Sequence, residues 1–424
     1  MDNRNLADNN QEPRLTPQLG VGQTMAVALG AMLGAGVYVS MGQAAGTTGG
    51  SLLVAVVLGA VVATINGLSS AELGAYDPRA GGAYQFARNL VTPAVGFVAG
   101  WLFLFAALTA GGTYALTFGA YLEALLPGVP LRAVGVALVA VAVISNMLGV
   151  RISGRVSVAL VVINVAILLA FVGLALPAFT PHNLRPFVLG GARGFLQASA
   201  LLFFAYTGYA RPVTVAEEVR DPAWTLPRAV PTAVGIVMLL YFGVAFAALG
   251  VLGPERLGEE AAPLRAAMVA AGSPAGATLL AVGALLASFA VLLTEIWGLS
   301  RLAFAMGRNG DLPACFGRLS GPGLIPRNAV LAAGSVLVLL AAFADLRPLL
   351  EASSLALLVY YWVMNLSALR LPPERRLYPL VVPVAGIVAN PVVGLSLPLQ
   401  TLVVVGAMAV TGLAYFALLQ RLRK

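Results

Sequence analysis

The groups in this chain best placed to do chemistry belong to its backbone. Gly30, Gly34 and Gly36 fall within one seven-residue run of an apolar segment, Gly30-Ala31-Met32-Leu33-Gly34-Ala35-Gly36. Glycine weakens a helix by about 1 kcal/mol at each position, so the run predicts a break with unpaired N–H and C=O groups. In lipid such groups are tolerated only where they line a cavity or meet a ligand. A second break is predicted in Phe203-Phe204-Ala205-Tyr206-Thr207-Gly208, where Gly208 and Pro212 stand four residues apart and proline removes a backbone donor. The competing reading of these glycines is close helix packing.

Two side chains add isolated charge. Glu295 is the sole charged residue between positions 275 and 300, and Arg211 lies just past the second break. Each costs of order 3 kcal/mol inside a membrane, which makes each a functional candidate. Glu295 reads as the selector of a cationic group or as a proton carrier, against an ion pair with neither role. Arg211 is expected to pair with Glu295, the alternative being that it snorkels toward an aqueous end. The single Cys315 excludes an intrachain disulfide, and the single His182 excludes a multi-histidine relay.

Long apolar helices must hold these groups, and the composition supplies them. The 424 residues are 59% hydrophobic and 10% charged, with a mean hydropathy of +0.90, whereas a soluble domain is about a quarter charged. Charge-free runs at 51–71, 92–122, 156–181, 229–253 and 377–420 each reach the roughly 20 residues a crossing needs, and the last is long enough for two spans with a turn near Asn390-Pro391 or Pro398. Residues 1–17 lack the basic-then-apolar order of a cleaved signal and read as a disordered cytoplasmic tail.

The net charge of +8 follows sidedness. With twelve spans and a cytoplasmic N-terminus, eighteen of the 25 basic residues fall inside and six outside, leaving Arg211 in a span. The positive-inside rule accounts for that asymmetry without nucleic acid.

Spans are expected at about 19–44, 51–73, 93–122, 134–148, 156–176, from 194 through the second break, 229–252, 275–300, 329–343 and 349–369, with a terminal pair in 378–420. A short amphipathic piece, 84–90, precedes the third. Broken spans in corresponding positions of two five-helix halves point to inverted repeats with a site at the midplane.

At these residues the chain resembles the amino acid-polyamine-organocation permeases, from about Leu19 to Leu371. Gly34-Ala35-Gly36 is similar to that family's G-S-G element. Ala71-Glu72-Leu73 with Pro78-Arg79-Ala80-Gly81-Gly82-Ala83-Tyr84 is similar to its A-E-L…P-x-x-G-G-x-Y signature. The run from Phe203 to Tyr209 with Ala216-Glu217-Glu218, Asp221-Pro222 and Pro227-Arg228-Ala229 resembles its sixth span. Ser300-Arg301 with Ala305-Met306-Gly307-Arg308-Asn309-Gly310-Asp311-Leu312-Pro313 resembles the end of its eighth.

The resemblance implies an all-α integral membrane protein with a LeuT-type 5+5 inverted repeat and twelve helices, the first and sixth discontinuous. A transport core would span 18–371, with repeats at about 18–178 and 193–371, followed by two peripheral helices and a short basic tail in 372–424. It implies amino acid transport by alternating access across the cytoplasmic membrane, with both termini cytoplasmic. Proton coupling is expected, sodium remaining open, and the alternative is an amino acid/amine exchanger or a polyamine carrier. The substrate carboxylate would meet the N–H groups of Gly34, Ala35 and Gly36, consistent with the positive end of a half-helix. The substrate ammonium would meet carbonyls of Phe204, Ala205 and Thr207. Ala35 replaces the family's serine, so that contact rests on backbone donors.

Glu295 aligns near a position where arginine/agmatine antiporters of this family use an aromatic residue. Asn164 stands where some proton-coupled relatives carry a lysine, and the chain has no lysine before Lys424. Asn164 then helps bind sodium, or Arg211 supplies the fixed charge, or exchange is uncoupled, or Asn164 only bonds another helix. Glu72, Glu217 and Glu218 are expected in an inner-gate network with arginines, against simple solvation. Tyr206 and Tyr209, with Phe204 and Trp297, are read as occluding aromatics or as packing. No cofactor, metal or obligate protein partner is implied, only a small-molecule substrate and the bilayer. The absence of a G-x-x-x-x-G-K-[ST] loop argues against nucleotide, the lack of clustered His, Cys or Asp in the spans against an enzyme, and the lack of charge rings against a channel.

Overall fold

The computed structural model describes residues 18–77, 82–149, 154–214, 216–320 and 325–422. The expected tail 1–17, Pro78 to Gly81 of the turn signature, Arg151, Arg423 and Lys424 lie outside the described residues, as does the side chain of Arg155. Every regular element among them is helical. The first apolar segment divides into α1 (Val21–Met32) and α2 (Gly36–Thr48), separated by Leu33, Gly34 and Ala35. A 3₁₀ turn at Gly49–Ser51 leads into α3 (Leu52–Tyr76). There Gly49 holds a φ of 74°, and a side chain at that position would meet the Pro186 carbonyl. The amphipathic α4 (Gly82–Leu90) buries Tyr84, Phe86 and Ala87.

Next come α5 (Pro93–Leu125), α6 (Leu131–Met147) and α7 (Gly154–Ala175). Thr92 caps α5, its hydroxyl accepting from the Val95 N–H at 3.2 Å, which satisfies one of the donors a helix start leaves orphaned. The second break separates α8 (Gly191–Tyr206) from the four-residue α9 (Arg211–Thr214), with a 3₁₀ turn over Thr207–Ala210 between them. Then follow α10 (Pro222–Leu252), the short α11 (Pro254–Glu259) and α12 (Pro263–Ala270), and α13 (Pro274–Arg308). The last elements are α14 (Arg327–Phe343), α15 (Leu346–Leu369), α16 (Val381–Gly394) and α17 (Leu399–Leu422).

By length and composition, seven helical segments among the described residues can cross a membrane, and α1, α6, α14 and α16 are shorter apolar helices. Several helices run longer than the apolar pattern suggests, because their polar ends remain hydrogen-bonded. The α13 helix continues to Arg308, and α10 starts at Pro222, a first helical position where proline loses nothing. Pro391 lies inside α16, and the turn between the last two helices falls at 395–398, next to Pro398 and not at Asn390-Pro391.

The helices pack as two groups joined by α15, α7 and α12. The α3 helix lies against α8, α10 and α16, and α2 against α8 and α11. The α5 helix lies against α6, α13, α14 and α4. Helix α15 touches both groups, against α5 on one side and α3 and α8 on the other. The two C-terminal helices are held by polar contacts as well as apolar ones. Trp362 Nε1 donates to Ile387 O at 3.2 Å, Trp101 Nε1 to Met408 O at 3.0 Å, and Thr401 Oγ1 to Glu351 Oε2 at 2.9 Å.

Candidate functional site

The two breaks face each other. A side chain on Gly36 would stand 3.0 Å from Ala205 Cα, and one on Gly208 would collide with the Ala31–Met32 backbone. The glycines therefore let two unwound segments touch backbone to backbone, and Gly34 is closed in by Val291 of α13. The packing reading of these glycines describes this geometry. Close approach is what places Gly36 against Phe204 and Ala205, and Gly208 against Ala31 and Met32.

Hydroxyls and one amide hold the freed carbonyls. Tyr241 of α10 donates to Met32 O at 2.7 Å and lies 3.4 Å from Ala205 O. Tyr361 of α15 donates to Thr207 O at 3.2 Å, and Thr207 Oγ1 turns back to Phe204 O at 2.8 Å. Asn164 of α7 donates from Nδ2 to Leu33 O, and its Oδ1 accepts the Tyr38 hydroxyl. Both ends of that amide are thus committed to the first break. Tyr121 in turn donates to Tyr38 O at 3.0 Å. Such bonds meet the demand that a buried carbonyl find a donor.

The N–H groups behave differently. Ala35 caps α2 with no side-chain bond, and Gly36 is its first residue, the position at which a helix start leaves N–H groups without an intrahelical partner. They are the groups a carboxylate would satisfy.

Exposure is uneven across the site. The first turns of α2, from Gly36 to Gly42, are buried throughout, whereas Thr207, Gly208, Arg211 and Glu295 are half-buried. Arg211 and Glu295 form no ion pair, although the Arg211 charge acts on the Glu295 carboxylate. The guanidinium lies beside Gly298, where an added Cβ would come within 3.6 Å of its Nη1. Tyr114 and Tyr361 sit in the field of both charges, and the Tyr114 ring packs on Phe204 at 5.6 Å. The pair expected from sequence is thus a pair of neighbours around a shared aromatic wall.

The remaining candidates lie behind this wall or beyond it. Glu72 is buried, and its Oε1 accepts the N–H groups of Leu377 at 2.6 Å and Tyr378 at 3.2 Å, its nearby arginine being Arg376. Glu217 and Glu218 are half-buried and form no ion pair with another described residue. The Glu218 carbonyl instead accepts the N–H of Gln18 and of Leu19, each at 2.8 Å, which ties the start of α1 to the segment beyond the second break. Tyr206 is buried and donates to Val56 O at 3.2 Å, Tyr209 is buried with its ring 5.1 Å from Tyr361, and Trp297 is exposed. Sequence reasoning passed over Tyr241 and Tyr361. Nothing in α10 or α15 marks either one, because a tyrosine amid apolar residues has the composition of ordinary packing.

Among the described residues no three His, Cys, Asp or Glu converge as a metal site. The profile of the amino acid permease family matches residues 19–418. The chain is 37% identical to an uncharacterised transporter of Mycobacterium tuberculosis over 98% of this chain and 93% of that one. It is 25% identical to a branched-chain amino acid permease of Bacillus subtilis, over 87% of this chain and 84% of that one. It is 28% identical to a vacuolar cationic amino acid transporter of Arabidopsis thaliana, over 88% of this chain and 67% of that one.

Proposed function

Because this chain belongs to the amino acid permease family, and is therefore a membrane transporter and not an enzyme, we propose that it carries amino acids across the cytoplasmic membrane by alternating access with proton coupling. The observation that carries this reading is the apposition of the two unwound segments, with the start of α2 at Ala35 and Gly36 on one and the hydroxyl-braced carbonyls of Phe204 and Thr207 on the other. A zwitterion fits such a pair. Its carboxylate takes the N–H groups of Gly34, Ala35 and Gly36, and its ammonium takes the carbonyls of Phe204, Ala205 and Thr207.

The arrangement proposed is the twelve-helix inverted repeat, with α1–α2 and α8–α9 as its broken spans and both termini cytoplasmic. The half-buried surface at Thr207, Gly208, Arg211 and Glu295, against the buried α2, supports a cytoplasmic approach to the site. Glu295 sets the charge of the side chain admitted or carries the proton, with Arg211 as the fixed cation nearby. Committing both ends of Asn164 to the first break favours protons over sodium at that position.

Purified protein is screened by thermal stabilisation against all twenty amino acids and common polyamines, since a ligand at a hundred times its Kd adds about 2.7 kcal/mol to the folded state. Counterflow in proteoliposomes follows for each hit. Saturable counterflow of an amino acid supports the reading, polyamine counterflow alone replaces it with the amine carrier, and no stabilisation with no flux overturns it.

A further inference from the structure

Beside the site, on the side away from α1, lies a buried amide cluster built from three helices. Asn66 of α3, Asn365 of α15 and Asn390 of α16 are each 2% exposed or less. Asn66 and Asn390 exchange reciprocal bonds, Asn66 Nδ2 to Asn390 Oδ1 at 2.9 Å and Asn390 Nδ2 to Asn66 Oδ1 at 3.0 Å. Asn365 Nδ2 donates to Asn66 Oδ1 and to Tyr361 O, both at 2.7 Å, and its Oδ1 accepts Ser69 Oγ at 2.7 Å. Both hydrogens of the Asn365 amide are therefore used. Gly386 admits this cluster, because any side chain there would strike the Asn365 amide.

Apolar side chains would hold three helices together without specifying their rotation. An amide network with its donors committed admits one register, since a turn of any member leaves buried groups unpaired. The member that matters is α15. One turn before Asn365 stands Tyr361, whose hydroxyl donates to Thr207 O at 3.2 Å, inside the second break. We propose that the Asn66, Asn365 and Asn390 cluster positions Tyr361, and through it the Thr207 carbonyl, so that α16 is a working part of the binding site. This deepens the transport reading given above, from which the role of Thr207 is taken. The three asparagines are positioning residues that do not touch substrate.

The test reads the second break directly and needs no substrate. In a Cys315→Ser background, which removes the chain's one cysteine, Ala210→Cys reports on the turn Thr207–Ala210 by its rate of alkylation with N-ethylmaleimide. Tyr361→Phe frees the Thr207 carbonyl and raises that rate about three- to tenfold, the worth of one hydrogen bond. Asn390→Ala, made in α16, raises it to a similar degree. The double variant exceeds neither single change, because both act through one bond.

An Asn390→Ala protein that unfolds at lower temperature but labels at the reference rate overturns the proposal, and so do additive effects. Where Asn390→Ala yields no folded protein, Ser69→Ala removes a single bond to Asn365. It raises the rate at least twofold, and an unchanged rate overturns the proposal. Failure of every amino acid to be transported would sink the transport reading and leave the labelling result standing.

Discussion

The hydroxyl of Tyr241 donates to the carbonyl of Met32 at 2.7 Å. Met32 is the last residue of α1, so a side chain in the middle of α10 closes the end of a helix on another part of the chain. The same oxygen lies 3.4 Å from Ala205 O, but its one hydrogen is spent on Met32, so the bond ties α10 to the first break.

Tyr241→Phe removes that tie with almost no change of shape. Leaving the buried Met32 carbonyl unpaired costs about 1–3 kcal/mol, seen as a lower unfolding temperature in detergent. Counterflow slows along with it. Stability and flux both at the reference level would show that the tie is dispensable.

Asn164 donates to the Leu33 carbonyl and accepts from the Tyr38 hydroxyl. Exchanging sodium for choline on both sides of a proteoliposome should leave counterflow unchanged, while Asn164→Leu should lower stability by about 1–3 kcal/mol through the unpaired Leu33 carbonyl. Loss of flux in choline would restore a sodium role.

Glu295 and Arg211 influence each other without an ion pair. Removing one leaves the other charge uncompensated in a poorly solvated site, so Glu295→Gln with Arg211→Gln should be milder than the worse single change. Initial rates of counterflow for the four proteins decide this, and strictly additive losses would mean that the two charges act apart.

Just past the end of α13, Arg88 Nη1 and the Tyr84 hydroxyl both reach Asp311 Oδ2 at 2.6 Å, and Asn309 Nδ2 donates to the Tyr84 oxygen at 2.8 Å. Asp311 is 1% exposed and Arg88 28%. The two ends are therefore unequal. Arg88→Ala strands a buried carboxylate and should cost of order 3 kcal/mol, whereas Asp311→Ala releases Arg88 to water and should cost less. Chemical or thermal unfolding of the two variants gives the order.

The same cluster sets a pH response. Burial first, then the hydrogen bond to Asp311, pushes the Tyr84 hydroxyl up to about 12. The folded value lies above the unfolded one, so its stabilisation is complete below about pH 10 and is lost as pH rises through 12. Tyr378, raised to about 12 chiefly by burial, responds in the same direction. Tyr84→Phe should therefore lose less stability than the parent between pH 10 and 12, with Tyr378 maintaining the remainder. An unchanged slope would remove Tyr84 from this response.

The sequence by itself determined the membrane class, the positions of both breaks and the amphipathic α4, because each rests on local composition. Apolar length, glycine and proline act within a few residues of where they stand, and no distant partner is needed to read them. The candidate carboxylate donors at Gly34, Ala35 and Gly36 were legible for that reason. Only the tertiary structure decided what meets these breaks. Tyr241 and Tyr361 look like packing residues until their hydroxyls are seen on carbonyls 209 and 154 positions away. Glu72, read as one of several gate acids, turned out to hold backbone amides 305 and 306 residues on. Asn390, beside a proline that suggested a turn, sits inside α16 against Asn66. Each of these choices follows from which buried polar group had no other donor or acceptor within reach. That is a property of three-dimensional neighbourhood, and spacing along the chain does not encode it.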